Sequence, residues 1–143
     1  MKRFAVVLAL VFAFAISAFA ADFGAFTADV PAGWTAEQNG PTGIFTKGDN
    51  SASITITVAE TGGATVQQLA EAFAAEFANN GFTNITTPEK DSDGDYSFDM
   101  KNPNGIESHA LVSVNEDKYM LVTATGEGLE DDLVSILGSL AMK

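Results

Sequence analysis

The sequence predicts an α+β fold: an antiparallel sheet sandwiched between helices, in a single domain. Three observations lead there. Short apolar–polar alternations recur, separated by Gly, Pro, Asn and Asp turns, which is the pattern of half-buried strands. Two segments change to helical spacing, one in the middle of the chain and one near its end. Every connection is short, and no linker, low-complexity segment or repeat divides the chain.

The first twenty residues stand outside that pattern. Lys2 and Arg3 give a basic start, "FAVVLALVFAFAIS" is an apolar run, and "AFA" closes it with Ala18 and Ala20. This is the three-part plan of a secretory signal peptide. The run is short for a membrane span, which takes about 20 residues. We therefore expect residues 1–20 to be a signal peptide and 21–143 the single domain. The short basic start and Ala/Val-rich run suggest bacterial export, with cleavage following Ala20 and a periplasmic or secreted location.

Composition narrows the chemistry. The chain has 143 residues and no cysteine, so disulfides, zinc–thiolate sites and thiol nucleophiles are absent. Beyond residue 20 there are five lysines and no arginine; five minus nineteen acids gives a formal charge of −14. Arginine clamps on phosphate or carboxylate are lost. Such an acidic surface repels nucleic acid and anionic headgroups, leaving a basic envelope protein or a small ligand as the expected partner. The same charge keeps an exported protein soluble. It fixes no oligomeric state.

"GAFTADV" sets Phe26 and Ala28 on one face and Ala25 and Thr27 on the other. "PAGW" at 31–34 turns the chain at Pro31 and Gly33, with Trp34 expected to anchor the core. "TAEQ" and "TGIFTK" are short strands. "ASITITVAE" alternates cleanly, with Ile54, Ile56 and Val58 facing inward. "TVQQLAEAFAAEFANNG" then sets Val66, Leu69, Ala70, Phe73 and Phe77 at helical spacing. Thr65 and Gln68 form a capping box, and Gly81 a stop. This apolar stripe reads as a core face rather than a ligand channel.

"FTNITT" is expected to be a strand ending at Pro88. "DYSFDM" follows, with Tyr96, Phe98 and Met100 on one face, and "NPNG" turns the chain. "IESHALVSV" and "KYMLVTATG" form a hairpin around "NEDK"; their consecutive apolar residues suggest strands buried on both faces. "LEDDLVSILGSLAM" is the second helix. Its stripe is Leu129, Leu133, Ile136, Leu137 and Leu140, and Glu130, Asp131 and Asp132 occupy its first turn. Phe73, Phe77, Leu111, Leu121, Leu133 and Leu137 are expected to be buried between helices and sheet.

"FTADVPAGW", "SITITVAE", "TVQQLAEAFAAEF", the hairpin "ALVSVNEDKYMLVTATG" and the closing helix together resemble the PsbP-like and Mog-like group, which includes small exported bacterial domains of the DcrB type. The resemblance covers residues 23–142. It implies an antiparallel sheet between helices and no shared catalytic residues, so none is carried over. It also implies use as a docking platform. The basic docking residues of photosystem members have no counterpart here, and without cysteine the chain lacks the lipoprotein anchor.

Few residues carry chemistry. "DSDGD" places Asp91, Asp93 and Asp95 at positions one, three and five of a calcium loop. Tyr96 and Asn102 then stand where that loop needs glycine and a bidentate glutamate. Asp93-Gly94 is a hairpin-turn pair, so the turn is the favoured reading and these three acids are weak metal candidates only. His109 is the sole histidine. It shares a strand face with Glu107 and Leu111, while Ser108 points the other way, so a structural or surface role is expected. Asn84-Ile85-Thr86 is a glycosylation triplet that a bacterial chain leaves idle.

The sequence thus predicts a non-catalytic periplasmic binding or accessory module, without cofactor and with no recognisable catalytic motif. The alternatives are a carboxylate-dependent hydrolase, or a weakly calcium-responsive module. Residues 89–132 hold twelve of the nineteen acids. If they lie on one side of the sheet, that side is the contact surface.

Overall fold

A computed structural model describes residues 19–127 and 129–143. The expected signal peptide therefore lies outside the described residues through Ala18, whereas Phe19 and Ala20 belong to the first strand.

Ten strands and two helices are described: β1 (Phe19–Asp22), β2 (Phe26–Val30), β3 (Trp34–Asn39), β4 (Thr42–Lys47), β5 (Ser53–Glu60), α1 (Val66–Asn79), β6 (Glu89–Lys90), β7 (Tyr96–Lys101), β8 (Glu107–Asn115), β9 (Lys118–Thr125), α2 (Glu130–Ser139) and β10 (Ala141–Met142). Seven strands form an antiparallel sheet in the order β3-β4-β5-β9-β8-β7-β6. A second sheet has the order β1-β2-β10.

The antiparallel α+β fold is as expected, but the layers differ from a sheet between helices. On one face of the large sheet, α1 sets Phe73 and Phe77 against Phe98, Met100 and Ala110. The other face presents Phe45, Ile54, Ile56, Val58 and Val122 to Phe26, Ala28 and Val30 of the small sheet, to Phe23 in its β1–β2 turn and to Ile136 of α2. The second cover is thus a small sheet plus one helix. Gly43 makes this approach possible, since a Cβ there would lie 2.9 Å from both Phe23 and Phe26. Those two rings stack with centroids 5.0 Å apart.

The core therefore shifts from the expected residues. Phe73, Phe77, Leu111, Leu121, Leu133 and Leu137 are half-buried. Phe26, Phe45, Ile54, Ile56, Met100 and Ile136 are the large buried side chains. The cause is geometric: a 14-residue helix, about 21 Å long, covers only part of a seven-stranded face. The consecutive apolar residues of β8 and β9 follow suit: Ala110, Val112, Val122 and Ala124 are buried, whereas Leu111, Val114, Met120 and Leu121 are half-buried.

Local chemistry explains most boundaries. Thr65 accepts from the Gln68 amide while the Gln68 side chain accepts from the Thr65 amide, the expected capping box. Helix α2 stops earlier than its apolar stripe, because the Ser139 hydroxyl accepts from the Asp29 amide and donates to the Ile136 carbonyl. Residues 141–142 then pair with β2 as β10. The strand expected over 82–87 is replaced by an irregular run beside β7. Thr83 bridges Lys101, Thr86 bonds Asp99 through its amide and hydroxyl, and Asn84 between them takes φ 52°, which breaks extended pairing.

Candidate functional site

Trp34 is buried as expected, and its indole N–H donates to Asp132 Oδ2 at 3.0 Å. That bond fixes the first turn of α2 against β3. The chain between β9 and α2 then borders an open groove of about 740 Å³. Leu129 and Leu133 form one wall, Ala124 and His109 belong to the sheet, and Glu107, Glu127 and Glu130 supply negative charge. All three glutamates are exposed, as is Ile106 at 48 %. No Lys or Arg lines the groove among the described residues.

His109 stands on β8 opposite Asp99 of β7, and its Nδ1 lies 2.5 Å from Asp99 Oδ1. Both side chains are more than half exposed. The pairing gives His109 the orienting acid of a catalytic dyad, yet neither nearby serine is bonded to its ring. Ser51 Oγ donates to Asp49 at 2.6 Å, and Ser108 Oγ is buried on the opposite face, 2.7 Å from Thr125 Oγ1. Sequence spacing missed the His109–Asp99 pair because the partners are ten residues apart on neighbouring strands; only the register of β7 against β8 brings them together.

The "DSDGD" segment joins β6 to β7 as a tight turn. Asp91 Oδ1 accepts from the amides of Asp93 and Asp95 at 2.8 and 3.0 Å, and its own amide donates to the Asp95 carbonyl. The Asp91 carboxylate thus holds the turn's backbone. Among the described residues no group of three His, Asp or Glu side chains is arranged to hold a metal ion.

The twelve acids of residues 89–132 do not form one surface. Asp91, Asp93 and Asp95 precede Tyr96, which pairs with Val112. Glu116 and Asp117 turn the β8–β9 hairpin beyond Asn115. Glu107 begins β8, at the other end of that nine-residue strand, a separation of about 27 Å at the rise of a strand. The acids fall at opposite ends of the sheet, and only those near Glu107 accompany the groove.

A second concavity of about 430 Å³ lies on the α1 side, lined by Phe73, Glu76, Phe77, Phe82, Tyr119 and Leu121 among others. The stripe of α1 is thus part core face and part pocket wall. Burial, followed by the nearby Glu76 charge, raises the Tyr119 hydroxyl above its ordinary value. Among the described residues, no helix is long and apolar enough to cross a membrane.

No family model and no curated protein matches the chain. Among solved structures it is similar to the cyanobacterial PsbP, CyanoP, from Synechocystis sp. PCC 6803. The TM-score is 0.58 at 13% identity, over 89% of this chain and 92% of that one. A Bacteroides thetaiotaomicron structure aligns at TM-score 0.49 and 14% identity, over 88% of this chain and 48% of that one. The likeness to CyanoP, over most of both chains, shows one thing: the chain has a PsbP-like fold.

Proposed function

We propose that the protein is an exported, non-catalytic binding or accessory module, whose groove at the start of β8 and α2 receives a basic segment of an envelope protein. One observation carries this reading: an open apolar groove bordered by Glu107, Glu127 and Glu130, with no lysine or arginine among its described lining residues. A lysine or arginine side chain suits it, since its alkyl stem can cover Ile106 and Leu133 while its charged head reaches the glutamates. Complementary charge of this kind acts chiefly on encounter and partner choice. The bonding of Ser51 and Ser108 away from His109 supports binding over nucleophilic turnover. The exposure of the three glutamates weighs against the carboxylate hydrolase, because a carboxyl general acid relies on an apolar, desolvated pocket. The PsbP-like fold is compatible with an accessory role; a fold alone assigns none. The signal-like pattern of residues 1–20 is what supports the export part of the reading.

In-cell crosslinking with mass spectrometry tests the reading. Reversing Glu107 and Glu130 to Lys should remove the crosslinked partner, and added salt should weaken its capture. The same reversal at Glu116 and Asp117, at the other end of the sheet, should leave it in place. Equal loss from both variants would reduce the groove to a bystander of general charge. Turnover of an envelope substrate that disappears with His109→Ala or Asp99→Asn would replace binding by catalysis.

A further inference from the structure

The pocket beside α1 has a chemistry distinct from the groove. Four aromatic rings line it, from Phe73 and Phe77 on the helix, Phe82 just after it, and Tyr119 on β9. Phe73 and Tyr119 meet at 54° with centroids 5.3 Å apart, and Phe77 and Phe82 at 62° and 4.8 Å. The rings therefore form walls at an angle rather than one stacked plane. All four remain half-buried, leaving them open to a ligand as well as packed on the core.

Glu76 occupies the helix turn between Phe73 and Phe77, so three neighbours on one helix face point to the same concavity. Among the described residues it is the one charged member of the lining. Lys118, next to Tyr119 in sequence, points elsewhere, its Nζ donating to the Lys143 carbonyl at 2.8 Å. The volume of about 430 Å³ falls within the range of small-ligand sites. Aromatic faces carry negative quadrupole charge and attract a desolvated cation; a methylated ammonium also gains contact with the rings.

We propose that this pocket binds a small methylated ammonium ion, with Phe73, Phe77, Phe82 and Tyr119 as its walls and Glu76 as counter-ion. An ordinary ammonium is too strongly hydrated to prefer such walls, whereas a trimethylammonium group sheds its water readily. Burial is the larger cause of the raised Tyr119 hydroxyl; the second, the Glu76 charge, shows that this carboxylate acts on the ring and would draw a cation to it. This site is independent of the acidic groove, which lies on the opposite face of the sheet.

The test is titration with choline and with its neutral isostere, 3,3-dimethylbutan-1-ol, followed by NMR on the α1 and β9 resonances. Choline should shift Phe73, Phe77 and Tyr119 and bind about ten-fold tighter than the isostere, a difference within the reach of cation–π attraction. Glu76→Gln, an exposed substitution, should weaken choline several-fold and leave the isostere unchanged. Tyr119→Leu should weaken choline further, with circular dichroism confirming the fold. Glu107→Lys should have no effect, separating this site from the groove. Equal affinity for choline and the isostere would make the pocket merely apolar. No shift with choline in the folded wild-type chain would remove the site.

Discussion

Asp91 and Asn102 do the same work in two turns. Asp91 Oδ1 accepts from the amides two and four residues on, and Asn102 Oδ1 accepts from those of Asn104 and Ile106. In each, the first residue's amide donates to the carbonyl of the fifth, and a glycine three places on, Gly94 or Gly105, takes positive φ, 89° and 82°. A neutral amide thus suffices for the geometry, so the charge at Asp91 is not what the turn requires. Asp91→Asn should leave the melting temperature nearly unchanged, whereas Asp91→Ala should cost about 1 kcal/mol, within the range for lost turn hydrogen bonds. If Asn proves as damaging as Ala, the carboxylate has a role that the turn does not explain, and cation binding becomes its best account. The turn was legible as "DG" before a strand. The equivalence with "NPNGI" was not, because the two segments share hardly any residue types and match only in bonding.

At the scale of elements, patterns with a full period were legible and paired fragments were not. The β5 alternation placed Ile54, Ile56 and Val58 inward, as observed, and the capping box of α1 was written in Thr65 and Gln68. Strands β1, β6 and β10 are four, two and two residues long, too short for a period, and exist only through their partners. The acidic groove was likewise hidden: it joins Glu107 to Glu130 through tertiary packing, although the glutamates themselves were among the acids noted. The β8–β9 hairpin shows a local conflict between sequence and geometry. Its two-residue loop is Glu116–Asp117, and Glu116 has φ 60° while Asp117 keeps negative φ. Positive φ at the first loop position alone is the type II′ pattern, where glycine is preferred. Glu116→Gly should raise stability by about 0.5 kcal/mol, and Glu116→Val should lower it by about 1–2 kcal/mol. Chemical denaturation checks both. Destabilisation by glycine would show that the Glu116 side chain holds the hairpin.

For the whole molecule, the small sheet brings sequence-distant segments together. β2 lies between β1 and β10, the Lys143 amide donates to the Ala25 carbonyl, and Lys143 Nζ reaches Asp22 Oδ2 at 2.6 Å. That lysine and, next, the Gly24 amide hold the Asp22 carboxyl below its ordinary value. The depressed value sets the sign of the pH dependence: the tie contributes fully above the unfolded carboxylate range and is lost as pH falls through the folded value. Because both side chains are exposed, water and salt screen the pair, and its contribution is small. Lys143→Met should therefore melt slightly below the wild-type chain near neutral pH, with the two curves converging as pH falls through the lowered folded value of Asp22. A chain starting at Ala21 should show the same difference on Lys143→Met, since Asp22 remains to hold the lysine. It keeps the pairings of Ala21 with Ala28 and Asp22 with Thr27 and loses those of Phe19 and Ala20. A gap between wild type and Lys143→Met that persists at low pH would show that the lysine acts through packing of its stem and not through Asp22.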